Sequence, residues 1–505
     1  MRPLVRVPLL SGTRLVLASA PEDAVVLRPP SPGEGVADVA AAVRDALRFP
    51  LDGEGIEALA KRGGRATIVV EPPVLPIPGS PNDPRQTAIS AVVDELERHG
   101  IASGFQTFLV AGGLARRTSQ RELETLVTPE LARRFHGHVV VHDVEDPELA
   151  TLDETCRPPL RVNRALLETD LVVVLSAAES VLHGGPATLL GAAGADALRA
   201  AGAYSLLETT ASQGWHLSLS LERALARRVP LLGVSLALNH PEMSGALRGY
   251  PYDVAAGERI ASSPLRYVYG ALPEVLRRDV LRSLRTEVTV AAAFGGLPSV
   301  AHTEALLRAV QLRGTDVSEP LDALVIGVPS VTPYLPRQRP NPLLAAYLGL
   351  GVALRLWRDA FPVVDGGTVI LVNSFRRHFA HPTQQPYRTF FHATRSGRDP
   401  RVLADAERAV AADTRARDAY RGGETVHPLL PFRDWNGCQP ALARLGGVLV
   451  AGAADAAAVR QLGFVPVYGV GAALDMARGQ GHERIGFLLS PPYFPLRVGA
   501  AERAV

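Results

Sequence analysis

Lysine is almost missing from this sequence: Lys61 is the only one in 505 residues, against a full complement of arginine. A Schiff base or amide link to a cofactor therefore has a single possible anchor. Cysteine is nearly as scarce. Cys156 and Cys438 lie far apart without CxxC spacing, which fits reduced thiols in a cytoplasmic protein rather than a disulfide framework. No window offers the ~20 apolar residues of a spanning helix. The opening MRPLVRVPLLSG is too short in its apolar run, and too rich in proline and arginine, for a signal peptide. A soluble, cytoplasmic chain with no membrane partner is expected. An excess of one charge sign is also lacking, with 53 basic and 51 acidic residues, so neither a nucleic-acid footprint nor an acidic tail is expected.

What is present is a globular composition, 47% hydrophobic, in a chain too long for one compact core. The organising stretch is Asp170–Gly194, DLVVVLSAAESVLHGGPATLLGAAG. Its unbroken LVVVL run predicts an inner parallel strand covered on both faces. Glu179, His183 and the pair Gly184–Gly185 follow directly, where the strand ends and the chain turns toward a helix. Ligands of open α/β sheets bind outside the carboxyl ends of strands, so a carboxylate, an imidazole and a closely approachable backbone make this turn a candidate site. The plain alternative is a polar turn whose glycines only satisfy backbone geometry.

Strand, turn and helix alternate between residues 66 and 240, the pattern of a doubly wound, mostly parallel sheet. Other strand ends carry polar residues. Asp83 and Arg85 stand at a helix entrance, able to bind an anion, or simply to cap the helix and meet solvent. Gly112, Gly113 and Arg116 follow FQTFLVA. His142 and Asp143 end HVVV, where such a pair often only terminates a strand. A longer loop and helix near residues 245–290 mark the crossing to a second α/β lobe, with DALVIGVPS and GGTVILVNSF as strands and a helix from NPLLAAYLGLGVALRLWRDAF. Beyond the latter strand, His378, His381 and His392 share a short basic segment that could hold a zinc- or nickel-like ion or form a solvated lid. His136 and His138 read as surface residues.

The order of elements resembles the lactate racemase family, nickel-pincer-nucleotide-dependent racemases and epimerases of 2-hydroxy acids, from about Ala66 to the C-terminus. NDPRQTA is similar to its Asp-x-Thr-Arg-Pro stretch, AGGLARR to Gly-Leu-His-Arg, VHD to Asn-His-Asp, and AAES…HGG to Glu-Pro-His…Gly-Gly-x-Lys. In the second lobe the likeness runs through DALVIGVPS, DGGTVILVNS and VAGAADAAAVRQLGFVPVYGVGAALDMARGQG. The resemblance implies a nickel ion held by an organic nucleotide, with two histidines as acid and base. It also marks departures. Ala115 stands where the family has one of those histidines, Val181 where it has the other unless His183 replaces it, and Ala187 where it has the cofactor-tethering lysine. His216 is the one candidate for a later nickel-binding histidine, and the family's glutamine and lysine are absent from LLAAYLG.

The expected architecture is thus two α/β lobes with a cleft between them. Residues 1–65 form an arm or edge of the first domain, 66–255 the first lobe and 256–505 the second. The expected function is a diverged racemase or epimerase acting on a small carboxylated hydroxy compound. His183, Glu179 and His142 would be its catalytic groups, and Asp83, Arg85, Gly112, Gly113, Arg116, Gly184 and Gly185 its binding groups. Any nickel-pincer nucleotide would be held without a covalent bond. The alternative is a catalytically silent homologue that binds a nucleotide or a partner protein.

Overall fold

The computed structural model describes residues 4–22, 24–72, 83–155, 159–202, 205–284, 286–329, 341–379, 381–393 and 400–499. Cys156 lies outside them, and Cys438 is free and buried.

The chain begins with a hairpin of β1 (Leu4–Ser11) and β2 (Arg14–Pro21), then β3 (Val25–Leu27) and α1 (Val39–Arg48). The first sheet is built from β4 (Ala66–Val70), β5 (Gln106–Val110), β6 (His138–Val141), β7 (Leu171–Ala177), β8 (Leu231–Leu238) and β9 (Val290–Gly296). Its spatial order is β9-β8-β7-β4-β5-β6, parallel except for β9. Numbered along the chain this is the 3-2-1-4-5-6 arrangement of dinucleotide-binding folds, whose strand order reverses between β4 and β7. The run LVVVL is an inner strand as its pattern requires: β7 is buried throughout and paired on both edges, with β4 and β8. Valine and leucine on both faces meet helices on both faces, which removes any reason for polar alternation.

The second sheet contains β10 (Leu321–Gly327), β11 (Val363–Val372), β12 (Gly447–Ala451), β13 (Val465–Val467) and β14 (Ile485–Leu488), in the all-parallel order β13-β12-β11-β10-β14-β3. Two boundaries differ from those expected. Of the N-terminal segment, the hairpin and β3 are not an edge of the first domain. Strand β3 completes the second sheet, and Val7, Leu9, Ala18 and Ala20 of the hairpin share a core with Val325, Ile370 and Phe487. The hairpin tip is pinned there too, Gly12 N–H donating to Val328 O at 2.8 Å and Leu10 N–H to Ser490 Oγ at 3.1 Å. The rest of the segment returns to the first lobe: α1 buries Val43 and Leu47 with Ile68 and Val92, and Ile56 joins the same core. The first lobe also runs past residue 255, because β9 pairs with β8 and the following helix, Pro298–Arg313, packs on both.

Further along the chain come α2 (Pro84–Arg98), α3 (Pro186–Leu190), α4 (Glu274–Ser283) and α5 (Pro298–Arg313). In the second lobe the long helix expected from NPLLAAYLGLGVALRLWRDAF is short. After α6 (Pro342–Ala346) the backbone loosens into a π-type turn over Tyr347–Val352 and a 3-10 turn over Ala353–Arg355. Gly351 explains the break, since a Cβ there would lie 2.3 Å from the Tyr347 ring, and a glycine pair weakens the α-helix in any case. The lobe continues through α7 (Leu430–Leu442) and α8 (Val470–Gly479). Among the described residues no helix is long and apolar enough to cross a membrane.

Candidate functional site

The chain leaves the two central strands of the first sheet on carboxylates. Glu71 follows β4 and Glu179 follows β7, both buried at the point where strand order reverses. Glu71 Oε1 accepts the Gly184 N–H at 3.1 Å. Burial pushes its carboxyl above the usual range, and the Gly184 amide and nearby Arg85 pull it back. Glu179 accepts from Arg313 Nη1 at 2.7 Å, an ion pair whose side chains are 1% and 4% exposed. Burial likewise pushes Glu179 up against the pull of Arg313 and Arg85. Arg313 comes from the last turn of α5 and also donates to Tyr493 O at 3.2 Å, so it clamps the first lobe to the end of the second.

Asp83 and Arg85 lie close to these carboxylates. Asp83 caps α2, its Oδ1 accepting the Arg85 N–H at 3.0 Å, and both its oxygens bind Arg85 Nε, at 2.9 and 3.1 Å. The guanidinium is therefore turned onto its own helix cap. Beside it the described residues leave about 10 Å³, room for one water rather than an organic anion.

His183 is placed by a buried relay. Gly185 N–H donates to Ser176 Oγ at 2.9 Å, Ser176 to Ser235 at 3.4 Å, and Ser235 to His302 Nδ1 at 3.2 Å. His302 Nε2–H then donates to Ser180 O at 2.9 Å, anchoring the turn that carries His183. Burial holds His302 neutral, at about 4. The His183 ring itself is half-buried and has no hydrogen-bond partner among the described residues. Burial first, then the charges of Arg433 and His302, depress it to about 3, so it is a neutral base at any physiological pH.

Gly184 and Gly185 make this turn possible by packing, and their amides are already engaged with Glu71 and Ser176. A Cβ on Gly184, whose φ is +91°, would lie 2.3 Å from His302 Cε1. Gly184→Ala is expected to destabilise the fold by ~2–5 kcal/mol, from the left-handed backbone plus overpacking. Urea unfolding measures this, and a midpoint unchanged from wild type would contradict it.

Across from His183 stands Arg433, in the first turn of α7 in the second lobe. It acts electrostatically on Glu71 and His183 on one side and on Tyr347, Tyr387 and Asp434 on the other. It is half-buried, and its guanidinium has neither a hydrogen bond nor an ion pair among the described residues. Behind it the Tyr387 hydroxyl donates to Asp434 Oδ2 at 2.5 Å, and burial pushes the Asp434 carboxyl up to about 7.

The other residues singled out from sequence lie elsewhere or are otherwise engaged. His142 ends β6, an edge strand two places from β4, about 10 Å away at the usual strand spacing. Its Nε2–H donates to Ala193 O at 2.9 Å, Asn163 donates to its Nδ1 at 3.3 Å, and burial depresses it to about 4. Gly112 leads into the turn at Gly113, which is packed between chain segments, its N–H on Gly191 O at 3.0 Å and its carbonyl accepting Tyr420 OH at 3.2 Å. Arg116 pairs with Glu122 at 2.5 Å. His381 caps its own turn through Thr383, His392 is exposed near the end of its helix, and His378 opens onto a different crevice. Among the described residues no three His, Cys, Asp or Glu are grouped to hold a metal ion.

Nor do these residues fit a covalently tethered cofactor. Ala187 is buried in the first turn of α3. Lys61 is exposed before the start of β4, at the opposite end of that strand from Glu71, roughly 17 Å for five residues of extended chain. Glu71, His302, Arg313 and Arg433 were not picked out from sequence. Glu71 could have been, since a carboxylate directly after the buried run ATIVV is the signal already read at Glu179. The arginines lie in helices, where a charge reads as a solvated face.

A two-lobed α/β protein whose first lobe gathers titratable groups at a topological switch point, with Arg433 of the second lobe opposite, is the class these features define. Residues 12–185 match the lactate racemase N-terminal domain family, so the first third of the chain is similar to that domain. The chain's fold is similar to that of the lactate racemase apoprotein from Thermoanaerobacterium thermosaccharolyticum, at a TM-score of 0.60 and 16% identity, over 98% of this chain and 100% of that one. It is also similar to a Thermotoga maritima protein, at a TM-score of 0.51 and 11% identity, over 92% of this chain and 99% of that one. No curated protein matches the sequence.

Proposed function

We propose that this protein is an isomerase that removes and returns the α-proton of a small 2-hydroxy acid in the cleft between the lobes. His183 takes the proton and Arg433 holds the carboxylate. The observation that carries this reading is the pairing of an imidazole and a guanidinium, each without a protein hydrogen bond among the described residues, on facing lobes at the switch point. When the C–H bond breaks, the proton goes to His183 and the electron pair spreads into the carboxylate, where Arg433 stabilises the added charge. An anion bound beside His183 raises its basicity, offsetting the depression caused by burial and Arg433. Any nickel-pincer nucleotide would have to be held non-covalently, and no step here runs through it.

Solvent-deuterium exchange into lactate and related 2-hydroxy acids, followed by NMR with the full chain, tests the proposal. Slow replacement of the α-proton is expected, and none with any 2-hydroxy acid would end it. Arg433→Leu is expected to raise KM by ~10–100-fold, the worth of one charge-assisted contact, with a smaller effect on kcat. A second reading, a silent homologue, is favoured by the closed Asp83–Arg85 and Glu179–Arg313 pairs, which leave both carboxylates and both guanidinium groups committed to the protein. That reading predicts no exchange at all.

A further inference from the structure

A separate crevice of about 400 Å³ opens in the second lobe, at the carboxyl ends of β11 and β12 and under the tip of the β1–β2 hairpin. That volume suits a small organic ligand, and the ends of parallel strands are where such ligands bind. Its lining is basic. Arg14, Arg277, Arg376 and His378 face it, and Glu274 is the one acidic side chain among the described residues that line it. Glu274 lies 3.4 Å from Arg376 in an exposed pair of little energetic consequence. The Arg14 guanidinium has no hydrogen bond or ion pair among the described residues.

Arg277 is the informative group. It is 6% exposed, yet its partners are all neutral: Nε donates to Thr13 Oγ1 at 3.3 Å, and Nη1 donates to Gly270 O at 3.3 Å and to Leu272 O. Its Nη2 has no partner among the described residues. A cation this buried without a carboxylate is unfavourable unless an anion completes it. The first turn of α8, ten residues long, begins at the same wall. Its N-cap is Gly469, with no side chain to cap it and no acidic residue in the first turn, so its free N–H groups add to the positive field. Tyr468, 98% exposed, stands at the mouth and offers an aromatic face.

We propose that this crevice is a second ligand site, for a phosphate monoester that carries an aromatic ring, such as a nucleoside monophosphate. The phosphate lies against Arg277, Arg14 and the start of α8, and the ring covers Tyr468. The site shares no residue with the cleft at His183 and does not depend on that cleft being catalytic.

Calorimetric titration of the full chain with AMP, ribose 5-phosphate and inorganic phosphate tests it. Saturable binding is expected for all three, tightest for AMP. Charge reversal at both exposed arginines, Arg14→Glu with Arg376→Glu, is expected to weaken AMP by on the order of a hundredfold or more, while the unfolding transition stays that of wild type. Tyr468→Ala is expected to bring AMP down to ribose 5-phosphate. His183→Ala leaves all three unchanged. No saturable AMP binding at millimolar concentration, or undiminished binding in the charge-reversed variant, overturns the site. Equal affinity for AMP and ribose 5-phosphate in wild type overturns the ring assignment, and loss of AMP binding in His183→Ala places the nucleotide in the other cleft and overturns the proposal.

Discussion

Replacing His183 by alanine should lower the rate of solvent-deuterium exchange into a 2-hydroxy acid by ~10²–10⁴, the usual worth of a positioned acid–base group. Unfolding should be nearly unaffected, because the imidazole makes no hydrogen bond among the described residues that the fold would lose. The pH dependence carries a second signature. The free ring is depressed to about 3, so the basic form is already present across the neutral range. The kcat/KM profile should therefore stay flat as pH falls from neutrality, and decline only as the ring takes up a proton near its depressed pKa. A profile that declines near the ordinary histidine value of ~6.5 would mean that a different, exposed histidine does the work. Unchanged exchange in the alanine variant would remove His183 from the mechanism altogether.

The second large effect concerns stability. Arg313→Met leaves Glu179 buried without its partner, and breaking a buried pair from one side typically costs about 3–5 kcal/mol. Removing both charges, as Glu179→Leu with Arg313→Met, should recover most of that loss, since the desolvation of both ions disappears with them. The measurement is a double-mutant cycle in urea. Additive losses, with no recovery in the double variant, would show that the contact between the two side chains is energetically idle. The same experiment bears on function. If exchange survives in the double variant, Glu179 is a structural anchor for the turn before His183; if exchange vanishes while the fold holds, the carboxylate has a part in the chemistry.

Much of the architecture was legible because parallel strands buried on both faces leave an unbroken apolar signature, as at Ala66–Val70, Leu171–Ala177 and Leu231–Leu238. Strand ends were legible as well: Asp83 and Arg85 lie near Glu179, and His183 is in the turn that follows it. What could not be read locally was which groups are already spoken for. Nothing within a few residues of Glu179 announces Arg313, which is 134 positions away, and nothing near Gly184 announces His302, whose ring fills the space that a Cβ would need. His142 shared with His183 only its place after a strand, and read as the weaker candidate because a His-Asp pair often just terminates one. Strand order, a long-range property, put one at the reversal of the sheet and the other at its edge. The Tyr347–Val352 turn was hidden for the opposite reason: its composition is that of a helix, and only the Tyr347 ring lying over Gly351 shows why the regular form stops.

The placement of the first strands has a consequence for biosynthesis. β3 leaves the ribosome some four hundred and sixty residues before its pairing partner β14, and Leu10 waits for Ser490, 480 positions on. The first sheet can form while translation continues, since its last strand ends at Gly296. The second stays open at one edge until β14 is made, and only then can β3 pair and Leu10 meet Ser490. Such late closure over so long a stretch of chain slows maturation and leaves an unpaired strand edge exposed to other nascent chains. A product that stops short of Ile485 would keep every strand of the first sheet while β3 had no neighbour to pair with.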